Sequence, residues 1–305
     1  MKCKYGDLEG VYYSENYNTG ELKSCILQKK NMLKTEYGLL TPQYKDDSER
    51  RKLKFSLEFY KNGIMKKVYL QEKVLLETKA GTITAESVMF YDDGSIKKIF
   101  PLDGKLTGFW TEQHEFKLAE KLKIKTPVGI IENKIISISF YRSGKIKSLT
   151  LWPVERPLVK TPIGEATVRT GISFYETGGI KSFEPAEMVD VETPIGSLKA
   201  YDIAPLGIHG DINSLSFYED GKIKSLYTTT NEILIKGEDE EYLCSPAETI
   251  SMCSDEKKDI VPMKIEFKKG KVFLENRKVS FNIEEFAFKV NDYKVDKDKM
   301  CSTCC

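Results

Sequence analysis

The sequence predicts an all-β protein: tandem β-hairpin repeats forming an elongated, curved antiparallel sheet, with one short helix. Three observations carry this. The pattern F-Y-x-x-G-x-I-K-[SK] recurs along the chain, as EFYKNGIMKK (Glu58–Lys67), MFYDDGSIKK (Met89–Lys98), SFYRSGKIKS (Ser139–Ser148), SFYETGGIKS (Ser173–Ser182) and SFYEDGKIKS (Ser216–Ser225). A weaker copy is NYNTGELKS (Asn16–Ser24), and EFKKGKVFL (Glu266–Leu274) is a more distant one. A second element, T-P-[IV]-G, lies between the copies. The chain is also rich in aromatic residues, with 16 Tyr and 15 Phe, a composition that suits strands.

Two residues and then Gly between short apolar-alternating runs specify a three-residue hairpin loop, a type I turn followed by Gly in the left-handed region. Gly takes that conformation with no Cβ penalty. In this register Phe174 faces Ile180. The same pairing predicts Phe59–Met65, Phe90–Ile96, Phe140–Ile146 and Phe217–Ile223. Two residues before each Phe stands Leu57, Val88, Ile138, Ile172 or Leu215, on the same face by the two-residue period of a strand. Each hairpin therefore has one apolar face, and its side chains are worth roughly 1.5–3 kcal/mol each when fully buried. A lone hairpin is not stable in water, so the copies must pack on one another.

The opposite face carries Tyr and Lys. A Lys falls three residues after the turn Gly in six copies, at Lys23, Lys66, Lys97, Lys147, Lys181 and Lys224. A charged strand face is ordinarily a solvated one that discourages edge-to-edge pairing. Its functional reading is a ladder for a protein partner, with Tyr91, Tyr141, Tyr175, Tyr218, Lys97, Lys147, Lys181 and Lys224 as candidate binding residues.

The second element reads KTPVG (Lys125–Gly129), KTPIG (Lys160–Gly164) and ETPIG (Glu192–Gly196), with looser versions KTEYG (Lys34–Gly38) and ETKAG (Glu77–Gly81). From hairpin Gly to this Thr is 15 residues in three copies. Pro and Gly at these positions suit a type I or II turn and a second small hairpin, so each unit is a pair of hairpins in a meander. Three insertions break the period. Thr41–Lys54 is charged and reads as a solvated loop. Pro101–Lys123 contains a candidate helix at Thr111–Lys123, with Thr111 as N-cap and Phe116, Ala119 and Leu122 on one face. Ala200–Asn213 is the third. Insertions in repeat arrays often carry specific function.

The expected organisation is a hairpin array over residues 1–230, an irregular segment with capping strands over 231–288, and a mobile Cys-ended tail over 289–305. The hairpin pattern resembles the MORN-variant repeat of bacterial proteins of the YwqK type. Asp103–Trp110 is similar to the Gly-x-x-x-Gly-x-Trp half of that motif. The resemblance covers Tyr12–Leu226 through its hairpin cores. It implies an open curved sheet used for partner binding or as a scaffold, with no catalytic residues. The Gly-to-Gly steps of 43, 31, 50, 34 and 43 depart from the family's even spacing. A closed β-propeller is the alternative fold, and the step of 31 is short for a blade.

With 47 basic and 46 acidic residues the chain has a net charge of +1, and it shows no concentrated basic patch, so nucleic acid is not an expected partner. No apolar run is long enough to span a membrane or serve as a leader, and the odd count of seven Cys does not form a secreted disulfide framework, so a cytoplasmic location is expected. Cys301, Cys304 and Cys305 are a candidate site for Zn or another soft metal, or for a disulfide; no other cofactor is expected. His209 and Asp211 could form a base and its orienter, but no nucleophile motif accompanies them. The function expected from these residues is a non-enzymatic scaffold for an unidentified protein partner. The alternative is a thiol-dependent metal or redox protein.

Overall fold

The computed structural model describes residues 1–53, 55–203, 205, 210–251, 254–275 and 279–293. It is nearly all β, with one α-helix among the described residues, and divides into two compact units, Met1–Glu155 and Arg156–Cys305. This division falls within the expected hairpin array, in a stretch where Pro153 and Pro157 cannot donate to a ladder.

The first unit contains β1 (Lys2–Cys3), β2 (Gly6–Asp7), β3 (Val11–Asn16), β4 (Leu22–Leu27), β5 (Leu33–Thr35), β6 (Gly38–Leu40), β7 (Leu57–Phe59), β8 (Met65–Thr78), β9 (Gly81–Phe90), β10 (Ile96–Phe100), α1 (Glu112–Leu118), β11 (Lys121–Thr126), β12 (Gly129–Phe140) and β13 (Ile146–Leu151). Its main sheet is antiparallel in the order β3-β4-β7-β8-β9-β10-β12-β13, with β11 on the other end of β12. The second unit contains β14 (Leu158–Thr161), β15 (Gly164–Phe174), β16 (Ile180–Pro185), β17 (Val189–Thr193), β18 (Gly196–Ala200), β19 (Leu215–Phe217), β20 (Ile223–Thr228), β21 (Asn231–Lys236), β22 (Glu241–Cys244), β23 (Ala247–Ser251), β24 (Ser254–Val261), β25 (Met263–Lys268), β26 (Lys271–Leu274), β27 (Val279–Asn282) and β28 (Ala287–Asp292). Its main sheet runs β15-β16-β19-β20-β25-β26-β27. Neither ladder closes on itself: among the described residues β3 pairs only with β4, and β27 only with β26. The propeller alternative is thereby removed.

All five predicted Phe pairings are present. The turn Gly residues at 20, 63, 94, 144, 178 and 221 have φ between 76° and 113°. Beyond the Phe pair the register skips one residue, which is the recurring Lys in all six copies. This bulge resets the alternation. Ile180 and Phe183 stand three apart yet both are buried, as are Met65 with Val68, Ile96 with Ile99 and Ile146 with Leu149. The bulge thus explains why apolar residues recur at a spacing of three in a strand. Phe59, Phe90, Phe140, Phe174 and Phe217 are at most 4% exposed, and the five residues two before them are sealed completely.

Within each unit, Tyr joins one hairpin to the next. The hydroxyls of Tyr17, Tyr60, Tyr91, Tyr175 and Tyr218 donate to the carbonyls of Phe59, Phe90, Phe140, Phe217 and Phe267 at 2.9, 2.9, 2.9, 2.8 and 2.6 Å. The T-x-x-G elements form the second set of hairpins. In each, the Thr hydroxyl donates to the Gly carbonyl, at 2.8, 2.7, 2.7, 2.7 and 2.6 Å for Thr35, Thr78, Thr126, Thr161 and Thr193. It also accepts from the backbone N–H two residues on. The residue before the Gly has no positive φ, so the turn is type I with Gly in the following position. Each of these arms buries one pair: Leu33–Leu40, Leu76–Ile83, Ile124–Ile131, Val159–Ala166 or Val191–Leu198.

Three expectations are corrected. The helix ends at Leu118, because Ala119 is already extended and Leu122 belongs to β11, whose pairing with β12 outweighs a further helical turn. The charged insertion at 41–54 is not simply solvated, since Arg50 and Arg51 are buried. Lys289–Asp292, expected in a mobile tail, pair with β21 through β28.

Tyr175→Phe removes one inter-hairpin hydrogen bond without changing shape. Its expected cost is about 1 kcal/mol, read as a lower urea midpoint with an unchanged slope. An unaltered midpoint would exclude a stapling role.

Candidate binding surface

The Tyr–Lys ladder is built from the turn outward. In three copies the bulged Lys lies over its own hairpin's Tyr: the ammoniums of Lys97, Lys181 and Lys224 lie 5.6, 6.0 and 6.0 Å from the ring centres of Tyr91, Tyr175 and Tyr218. Arg142 adds a second cation over Tyr91, at 4.5 Å, and pairs with Asp92 and Asp93 of the neighbouring turn. Tyr141 and Lys147 occupy the same turn and bulge positions in their hairpin. Six of the eight ladder residues therefore meet as three pairs. The Tyr hydroxyls are spent on the next hairpin, while Lys97 and Lys181 remain exposed.

Arm tips reach over these turns. Tyr5 and Tyr37 accept through their hydroxyls from the backbone N–H of Met65 and Ile96, at 3.0 and 3.2 Å. Lys79 donates to the Ser143 carbonyl at 2.6 Å. Open clefts lie between tips and turns. In the first unit, one of about 470 Å³ is lined by Tyr37, Lys79, Phe140 and Arg142. In the second, one of about 820 Å³ lies among Pro162, Pro194, Tyr218 and the Lys268–Lys271 turn.

Two buried polar clusters, which the sequence pattern did not reveal, hold the insertions in place. In the first unit Arg50 donates to both Glu86 oxygens, at 3.0 and 2.6 Å, and to both Glu115 oxygens, at 2.8 and 2.7 Å. The same carboxylates accept from the backbone N–H of Asp103 and Gly104 and from Trp110 Nε1. Burial would lower the Arg50 pKa, but Glu115 and Glu86 raise it above its ordinary value. Burial would likewise raise that of Glu115, yet hydrogen bonds from Arg50 and Trp110 hold it below the usual range. The donors and acceptors are matched here, so the cluster is a fastening between the insertions at 41–54 and 101–123.

In the second unit, Glu184 is buried and accepts from the Ser214 N–H and hydroxyl, both at 2.8 Å, with Arg169 at 3.4 Å. Arg169 also donates to the Asp202 carbonyl and Tyr201 hydroxyl. Burial pushes the Glu184 pKa up to about 7, despite the opposing Ser214 hydrogen bonds. Thr170, next to Arg169, has φ of 50°, a strained value for a β-branched residue.

His114 closes a capping box with Thr111 at the start of α1. Burial pushes the Cys25 thiol up to about 12, which makes it inert as a nucleophile. Cys301, Cys304, Cys305 and His209 lie outside the described residues. Among the described residues no three His, Cys, Asp or Glu converge as a metal cage, and no helix is long and apolar enough to cross a membrane.

Arg50→Met leaves two buried carboxylates unpaired, with an expected loss of about 3–5 kcal/mol in a denaturant melt. A raised pKa means that Glu184 binds its proton more tightly folded than unfolded. Its contribution is therefore full below about pH 4.5 and declines as pH rises toward about 7. Glu184→Gln should flatten that part of the stability–pH curve, removing a change of at most about 3 kcal/mol. An identical curve for the variant would refute this.

No family model matches this chain, nor does any curated protein or solved structure.

Proposed function

We propose that the chain is a non-enzymatic repeat scaffold that binds a protein partner across its turns and arm tips. One observation carries this reading: most of the recurring residues are consumed by the fold, while the recurring Lys97 and Lys181 stay exposed and residues that differ between copies, such as Lys79, Arg142 and Glu284, contribute to the clefts. Tyr staples hairpins, Thr and Gly make turns, and Phe and Ile fill the core. The resemblance to the MORN-variant repeat points the same way, because it implies binding without catalysis. The buried Arg50 cluster supports it too. Arg50 is held by two carboxylates and fastens an insertion, as a structural ion cluster does, and nothing about it calls for a substrate.

The Lys ladder would supply charge for recognition and the clefts would supply shape. The test is capture of a partner from an extract of the source cells. The wild-type chain is compared with a variant carrying Lys97→Glu, Lys181→Glu and Lys224→Glu. The expected outcome is a protein retained by the first and lost by the second. Equal recovery, or no partner with either, would overturn the role of the ladder.

A further inference from the structure

The β25–β26 hairpin of the second unit departs from the hairpins before it. Its turn has two residues instead of three: Lys268 pairs directly with Lys271, around Lys269 and Gly270. Both central residues have positive φ, 51° at Lys269 and 71° at Gly270, which defines a type I′ turn. That first position favours Asn, Asp or Gly, and a long side chain there is strained. Lys268 also stands where the earlier hairpins place their stapling Tyr.

The charge pattern departs as well. Earlier turns carry their own neutralising partners: Arg142 meets Asp92 and Asp93, and Lys222 meets Asp220. Lys268, Lys269 and Lys271 have no ion-pair partner among the described residues. Like charges directly opposite each other on paired strands are destabilising. Three lysines are therefore concentrated on a strained turn, against both local preference and electrostatics. This turn lines the cleft of about 820 Å³, together with the apolar Pro162, Ile163, Pro194 and Ile283.

We propose that this cleft binds a short acidic, extended peptide segment of a partner protein, with its carboxylates held by Lys268, Lys269 and Lys271 and its apolar side chains seated against the arm tips. The proposal rests on the scaffold reading and names the class of partner. Asp190, Glu192 and Glu284 also line the cleft, so a uniformly anionic chain such as a polyphosphate would be repelled. A peptide that places a few carboxylates at the lysine turn and apolar groups elsewhere satisfies both features.

The test is fluorescence anisotropy of the full chain with a labelled peptide of alternating Glu and Leu. A matched Lys and Leu peptide serves as control, and inorganic polyphosphate as competitor. The Glu peptide should bind, and binding should weaken with salt. It should weaken about tenfold in Lys268→Glu with Lys271→Glu. Lys269→Gly should also weaken binding while raising the melting temperature, because it removes a charge and relieves the backbone, so a folding defect cannot explain its loss. No binding of the Glu peptide, equal binding of the Lys peptide, displacement by polyphosphate, or unchanged affinity in the variants would overturn the proposal. The double variant Lys97→Glu with Lys181→Glu leaves these lysines, and Lys224 beside the cleft residue Tyr218, intact and should bind the Glu peptide normally. Failure of ladder-dependent capture with this binding preserved would count against the scaffold reading of the ladder alone.

Discussion

In five places a hairpin offers its neighbour one carbonyl, at the Phe just before its turn, and the neighbour's Tyr hydroxyl takes it. The rest of the array depends on this contact. A hairpin in isolation buries too little apolar surface to persist, so its stability comes from the next copy. Ladder hydrogen bonds between successive hairpins are few; β16 and β19, for example, share only two register pairs. The Tyr bond adds a directional contact beyond those pairs and brings the two apolar faces into alignment. The bulged Lys serves the same end on the other strand. It lets Ile180 and Phe183 share a face and turns the one charged side chain of that stretch outward.

The insertions are held by charge, in contrast to the apolar packing of the hairpins. A buried ion cluster brings little net stability, because desolvating the charges offsets their attraction. Its effect is geometric. Arg50 has one orientation that meets Glu86 and Glu115 together, and that orientation places the backbone of Asp103 and Gly104. Glu184 performs the corresponding task in the second unit through Ser214, but there the matching is incomplete. Arg169 Nε and Asn213 Oδ1 are buried without partners among the described residues, beside a strained Thr170.

Much of the fold was legible in the sequence because a turn Gly after two polar residues has one common geometry, and the Phe–Ile register follows from it by counting. The five Phe pairings follow in this way, and the capping role of Thr111 from its place before a helical run. The bulge was not legible: a Lys at a fixed place in a strand looks like ordinary alternation until the partner strand is known. Arg50 was missed for a related reason. The run Asp46–Lys52 has the composition of a solvated loop, and only contacts 36 and 65 residues away in the chain reveal a buried guanidinium. The ladder lysines were found as a repeat. Glu266–Leu274 reads in the sequence as a distant copy of the repeat, but its Lys268, Lys269 and Lys271 do not stand out there, because a departure from a pattern is visible only against the hairpins that obey it.

The arm tips carry a consequence for folding. Tyr5, Tyr37 and Lys79 grip backbone groups 60, 59 and 64 residues further along, on turns beyond the next hairpin. A simple solenoid couples each repeat only to its immediate neighbours and can fray from one end, one repeat at a time. Contacts that skip a hairpin add next-nearest-neighbour coupling. Removing one terminal hairpin would then also loosen the turn beyond it. The first unit should melt as one cooperative block, and the high sequence separation of these contacts would make it slow to assemble.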